Sequence, residues 1–251
     1  MGIKDKLSSI RSENIEKGDI KAQKLEERIE IANPQQPHVA TVLLLDTSGS
    51  MTDGNKIIQL NEGLKIFKED VSSDDLARKR VDLAVITFSN DVNVISDFSS
   101  VEEFKPPRLK ASGLTPMGDA ILRAIELVEQ RKGIYKAKGI DYYRPWIFMI
   151  TDGAPTDMQL GDSMWNDVIK KVHEGEANKK FSFFAVGVEP ANMELLKQIA
   201  PPNREPVKLK QGKFNEMFAW LSRSTVSVSS SKVGEQVALE SPQGWGEVST
   251  G

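Results

Sequence analysis

Four short apolar runs, bounded by turn residues and separated by segments of helical periodicity, constrain this chain more than any other feature. They are Val39 to Leu45, Val81 to Phe88, Trp146 to Ile150 and Phe181 to Val188. Near-continuous apolar character, rather than alternation, marks strands covered on both faces, as in a parallel sheet. Between them, Ile57, Leu60, Leu64 and Phe67 recur at helical spacing and predict a helix over about 56–71. Ile121, Leu122, Ile125 and Val128 mark a second helix, and further helices are expected over 163–178, 192–199 and 214–224. Residues 132–144 read as polar and irregular, and Pro206 to Lys210 as a last strand. Ser89-Asn90-Asp91 links Val81–Phe88 to Val92–Phe98 too briefly for a crossover, so that pair is a hairpin. The expectation is an α/β fold: a doubly wound, mostly parallel sheet with one antiparallel edge strand and helices on both faces.

The 251 residues suffice for one such domain with tails. Residues 1–38 are expected to be an N-terminal arm, partly helical or disordered. Within it, Ile29 and Ile31 alternate as in an extra strand, before Asn33-Pro34-Gln35-Gln36-Pro37 breaks regular structure. Residues 39–226 form the domain, and 227–251, rich in Ser, Gly and Gln, are expected to be a disordered tail. With 33 basic and 36 acidic residues, no basic excess directs the chain to nucleic acid or an anionic membrane. No run approaches the ~20 apolar residues that span a bilayer, and the N-terminus has no apolar signal region. A cytoplasmic location is expected. There is no cysteine and only His38 and His173, so thiolate sites and two-histidine catalysis are not expected.

Chemistry concentrates where strands end. Val42 to Leu45 runs into Asp46-Thr47-Ser48-Gly49-Ser50, a carboxylate and hydroxyls at alternate positions of a tight turn. Such oxygens suit a hard cation, Mg²⁺ or Mn²⁺, that keeps some of its waters. Trp146 to Ile150 ends at Thr151-Asp152-Gly153, and a second polar loop contains Gly113-Leu114-Thr115-Pro116. Ligand sites in doubly wound sheets lie outside the carboxyl ends of the strands, so these three segments have a reason to meet.

Together they resemble the von Willebrand factor type A family, whose metal-ion-dependent adhesion site combines D-x-S-x-S, a later Thr and a later Asp. The resemblance covers about 39–225 and implies that Asp46, Ser48, Ser50, Thr115 and Asp152 hold the metal. Two carboxylates balance a divalent ion, hydroxyls add no charge, and an open position is left for an Asp or Glu offered by a protein partner. Gly113 to Gly118 and Thr151 to Asp157 look most like the cytoplasmic bacterial TerY and YegL-type members. That likeness implies a tellurite- or stress-resistance setting and a Ser/Thr kinase or a PP2C-type phosphatase as partner.

Each segment also has a local reading. Ser50 with Asp53 approximates a capping box, and Thr115-Pro116 is a good helix start. Asp53, Asp119 and Asp157 are assigned to the starts of their own helices, His173 to the surface, and Met117 to the core or to an apolar contact beside the metal. The competing function is a metal-dependent hydrolase with Asp46 as nucleophile. It needs an acid two residues on, where Ser48 stands, and a lysine near the phosphate, for which no candidate stands out. Without a P-loop motif or an evident general base, a binding module rather than an enzyme is expected.

Overall fold

The computed structural model describes residues 30–248. The expected strand ending in Ile29 and Ile31 falls mostly outside that range. From Val39 the chain forms β1 (Val39–Asp46), a 3-10 turn (Gly49–Asn55), α1 (Lys56–Ser73), α2 (Ala77–Arg80), β2 (Val81–Phe88) and β3 (Val92–Ser100). It continues through α3 (Met117–Ala137), β4 (Trp146–Thr151), α4 (Ser163–Ala177), β5 (Ser182–Gly187) and α5 (Met193–Ile199). β6 (Val207–Leu209), α6 (Phe214–Ser230), a 3-10 turn (Pro242–Gly244) and β7 (Gly246–Val248) complete it.

The sheet order is β3-β2-β1-β4-β5-β6-β7. β1, β2, β4, β5 and β6 run parallel, while β3 and β7 are antiparallel edges. The doubly wound α/β sheet is as expected, with a second antiparallel edge added. Every residue of β1, β2, β4 and β5 is buried, and successive side chains serve opposite faces. Leu43, Val85, Phe148 and Val186 meet α1 and α6 on one face. Leu44, Ile86, Met149 and Ala185 meet α3, α4 and α5 on the other. α1 lies so close to α6 that a Cβ on Gly63 would fall 2.0 Å from the Phe218 ring.

Three expectations are corrected. The helix after Thr115 continues to Ala137 because Ile134 and Tyr135 bury against Ala40 and Ile140, so residues 132–137 are not irregular. Residues 227–230 extend α6, and the segment expected to be a disordered tail returns to the sheet: Trp245 is 3% exposed, packed 5.2 Å from the Trp220 ring, and β7 pairs with β6. Burying one large aromatic there outweighs the low apolar content around it. His173 is half-buried, bonded through Nε2 to the Ala200 carbonyl 2.9 Å away.

A charged cluster sits inside the sheet, towards the start of β2. Asp82, 1% exposed, accepts from Arg131 Nη2 at 2.7 Å and from the Tyr135 hydroxyl, and lies 3.1 Å from His38 Nδ1. Burial pushes the Asp82 carboxyl up, but the His38 hydrogen bond and the Arg131 charge outweigh it and hold the group below the ordinary range.

Candidate metal site at the switch of the sheet

β1 has β2 on one side and β4 on the other, so the winding direction of the chain changes between β1 and β4. The expected residues collect at the carboxyl end of that pair. Leu45 pairs with Ile150, which places Asp46 and Thr151 side by side. Thr151 Oγ1 donates to Asp46 Oδ2 at 2.6 Å, and the Ser48 N–H donates to Asp46 Oδ1 at 2.8 Å. Ser48 Oγ lies 3.1 Å from Ser50 Oγ, and Ser50 Oγ donates to Asp152 Oδ1 at 2.6 Å. Asp46, Ser48 and Asp152 are buried and Ser50 is half-buried.

Backbone bonds hold the three loops in this arrangement. The Ser112 N–H donates to the Thr47 carbonyl at 2.9 Å, and the Gly49 N–H to the Gly113 carbonyl at 3.1 Å. Gly113 has φ +83°, and a Cβ there would lie 2.3 Å from Asn90 Oδ1, so only glycine lets this loop press against the β2–β3 turn. Thr115 N–H donates to Thr156 Oγ1 at 3.1 Å, and the Thr156 N–H returns a bond to the Thr115 carbonyl at 2.9 Å. Thr115 is 6% exposed, and its backbone rather than its hydroxyl makes these loop bonds. That hydroxyl points into the cluster: a Cβ on Gly153 would lie 3.1 Å from Thr115 Oγ1 and 3.6 Å from Asp46 Oδ2. Glycine at 153 leaves this space open.

Asp119 lies in the first turn of α3 as expected, but the readings of Ser50, Thr115 and Asp157 as caps of their own helices do not hold. Ser50 lies inside the 3-10 turn, which has no side-chain cap, and Asp53 is exposed. α3 starts at Met117 without a cap from Thr115, and Met117 is fully buried in the core. Asp157 precedes α4 rather than opening it, and caps α3 from outside by accepting the N–H groups of Gly118 and Asp119 at 3.1 and 2.8 Å. The hydroxyls of Ser50 and Thr115 are thereby available to the site.

Sequence reasoning missed two participants. Thr151 fixes Asp46 from the neighbouring strand. Lys56 places Nζ 2.6 Å from Asp152 Oδ2, with its side chain 11% exposed. The signal for Lys56 was its position directly after the turn of Asp46 to Asn55. Burial pushes the Asp46 carboxyl above the ordinary range; bonds from Ser48 and Thr151 oppose this, and the Asp152 charge adds to it. Asp152 thus has a cationic partner, whereas Asp46 has only neutral donors.

Among the described residues no group of three or more histidines, aspartates or glutamates is placed to hold a metal. A cation here would rest on two carboxylates and hydroxyls. The Thr115 hydroxyl facing the cluster, the buried Asp46 without a counter-charge and the space over Gly153 fit a small, hard cation. No helix among the described residues is long and apolar enough to cross a membrane.

The profile of the von Willebrand factor type A domain matches residues 41–220. No curated protein matches the chain. Among solved structures, the pilus adhesin SpaC from Lactobacillus rhamnosus GG is 13% identical with a TM-score of 0.60, over 78% of this chain and 31% of the adhesin. The D319A mutant of the PilB minor pilin from Streptococcus sanguinis is 14% identical with a TM-score of 0.52, over 76% of this chain and 62% of the pilin. The vWF domain of the type V pili tip protein Mfa5 from Porphyromonas gingivalis is 11% identical with a TM-score of 0.50, over 80% and 99%. These likenesses show the fold. The chain spans under a third of the adhesin and under two thirds of the pilin.

Proposed function

This chain belongs to the von Willebrand factor type A domain family, and from that premise we propose that it is a metal-dependent protein-interaction module. Asp46, Ser48, Ser50, Thr115 and Asp152 would hold Mg²⁺ or Mn²⁺. The ion would supply a Lewis-acidic position to which a partner's Asp or Glu binds. The observation that carries this reading is the convergence of Thr115 Oγ1 and Asp46 Oδ2 on the space over Gly153. The chain's own residues orient and desolvate the site: Thr151 and the Ser48 amide fix Asp46, and the loop bonds fix Ser50 and Thr115. The likeness of Gly113–Gly118 and Thr151–Asp157 to TerY-type proteins supplies the setting, a cytoplasmic stress-response complex with a Ser/Thr kinase or a PP2C-type phosphatase. A hydrolase with Asp46 as nucleophile has weaker support, because Ser48 rather than an acid stands two residues on.

The test is Mn²⁺ binding by calorimetry together with capture of partners from the native cell with and without chelator. Asp46→Asn is expected to abolish both while the circular dichroism spectrum is retained. A folded protein that takes up no divalent ion, or chelator-independent capture, refutes the reading. Turnover of a generic phosphate ester that Asp46→Asn removes would establish the hydrolase instead.

A further inference from the structure

Lys56 is the cationic side chain built into this site, and the backbone puts it there. Gly54 and Asn55 both take left-handed φ, 61° and 60°, ending the 3-10 turn so that Lys56 opens α1. Glycine and asparagine are the residues that adopt this conformation at least cost. The Lys56 ammonium reaches back to Asp152 Oδ2 at 2.6 Å and to the Ser50 carbonyl at 3.4 Å. The other Asp152 oxygen is engaged by Ser50 Oγ at 2.6 Å. An ion that takes Asp152 as a ligand must share that carboxylate with an ammonium or displace it.

Resting on the metal reading above, we propose that Lys56 is a tethered internal cation that weakens the site's hold on a free divalent ion and strengthens its hold on an acidic ligand once the ion is bound. Asp46 and Asp152 carry two negative charges, which a divalent ion alone would neutralise. With Lys56 present, the empty site carries one net negative charge and the loaded site one net positive charge. Repulsion between a divalent ion and an ammonium on one carboxylate amounts to roughly tenfold in affinity even at the dielectric of bulk water. The surplus positive charge favours an arriving carboxylate in the same way. Ion and acidic ligand therefore raise each other's affinity, as linkage requires. Lys56 lines a cavity of about 640 Å³ whose wall carries both signs of charge, Asp53, Glu189 and Glu247 with Lys208 and Lys210, so the ammonium has room to move. Its own side chain keeps it at the rim of the site wherever it goes. The module thus engages best when metal and acidic group arrive together.

The experiment titrates Mn²⁺ into the wild-type chain, Lys56→Met and Lys56→Arg, following the free Mn²⁺ signal by electron paramagnetic resonance, with and without acetate as the carboxylate probe. Lys56→Met is expected to bind Mn²⁺ roughly tenfold more tightly and to lose most of the enhancement given by acetate, while Lys56→Arg follows the wild type. Lys56→Gln carries the same expectation as Lys56→Met should the methionine variant fail to fold. Mn²⁺ affinity unchanged or weakened in the folded uncharged variant, or an undiminished acetate effect, overturns the proposal and leaves the metal reading standing. Failure of the wild type and every variant to bind Mn²⁺ overturns both.

Discussion

Thr115→Val separates a ligand from a structural residue. The substitution keeps the volume and one methyl of a side chain that is 6% exposed, and removes only a hydroxyl that takes no part in the loop's backbone bonds. Metal-free stability should therefore change by no more than about 1 kcal/mol. With Mn²⁺ at a hundred times its dissociation constant, the wild type should gain about 2.7 kcal/mol. Losing one neutral ligand, taken as roughly a tenfold loss of affinity, leaves a gain of about 1.4 kcal/mol at the same concentration. For a domain of this size each kcal/mol moves the melting temperature by about 2–4 °C. The expected rise on adding Mn²⁺ is thus about 5–11 °C for the wild type and about 3–6 °C for the variant. Paired thermal melts in chelator and in Mn²⁺ measure this directly. Equal rises in the two proteins would remove Thr115 from the ligand set, and a metal-free variant weakened by more than about 1.5 kcal/mol would make its hydroxyl structural.

Two further outcomes follow from the buried cluster and the returning C-terminal segment. Asp82→Asn leaves Arg131, 4% exposed, without its carboxylate and should cost about 3–5 kcal/mol in urea denaturation. Because the folded Asp82 carboxyl is held low, the unfolded chain takes up its proton first on acidification. Stability from Asp82 is then present above the ordinary carboxylate range near pH ~4 and lost as pH falls through the lower folded value, a dependence that urea midpoints between pH 2 and 6 should show weakened in Asp82→Asn. Trp245→Ala removes a buried ring packed at a tilt against Trp220 and should cost about 3–5 kcal/mol by the same assay, whereas a cost under about 1 kcal/mol would mean that the segment does not dock in solution.

Much of this protein is legible in short stretches of its sequence. The apolar runs of β1, β2, β4 and β5 declare a sheet covered on both faces, and the periodicity of α1 and α3 declares its cover. The polar turns after β1 and β4 then fall on one edge, and the resemblance of these turns and of the Thr115 loop to the von Willebrand factor type A motif named Asp46, Ser48, Ser50, Thr115 and Asp152 together as candidates. Other features carried weaker signals. Asp82 sits inside an apolar strand, which calls for a partner but does not say which. Trp245 stands alone in a polar segment, which hints at docking but not at where. These are questions of which distant groups meet, and periodicity is silent on them.

Sequence alone determined the order of the strands from β1 to β6 and of the long helices between them, and the chemistry available at the sheet's edge, because apolar patterning and turn residues act over a few positions. Tertiary structure decided that Thr151 would brace Asp46 across the β1–β4 register, that Thr115 would face its hydroxyl towards the space beside Asp46, and that Lys56 would pair with Asp152, 96 residues away. Hydrogen bonds and charge pairs act over a few ångströms in space, and only the closed sheet brings those atoms within that range.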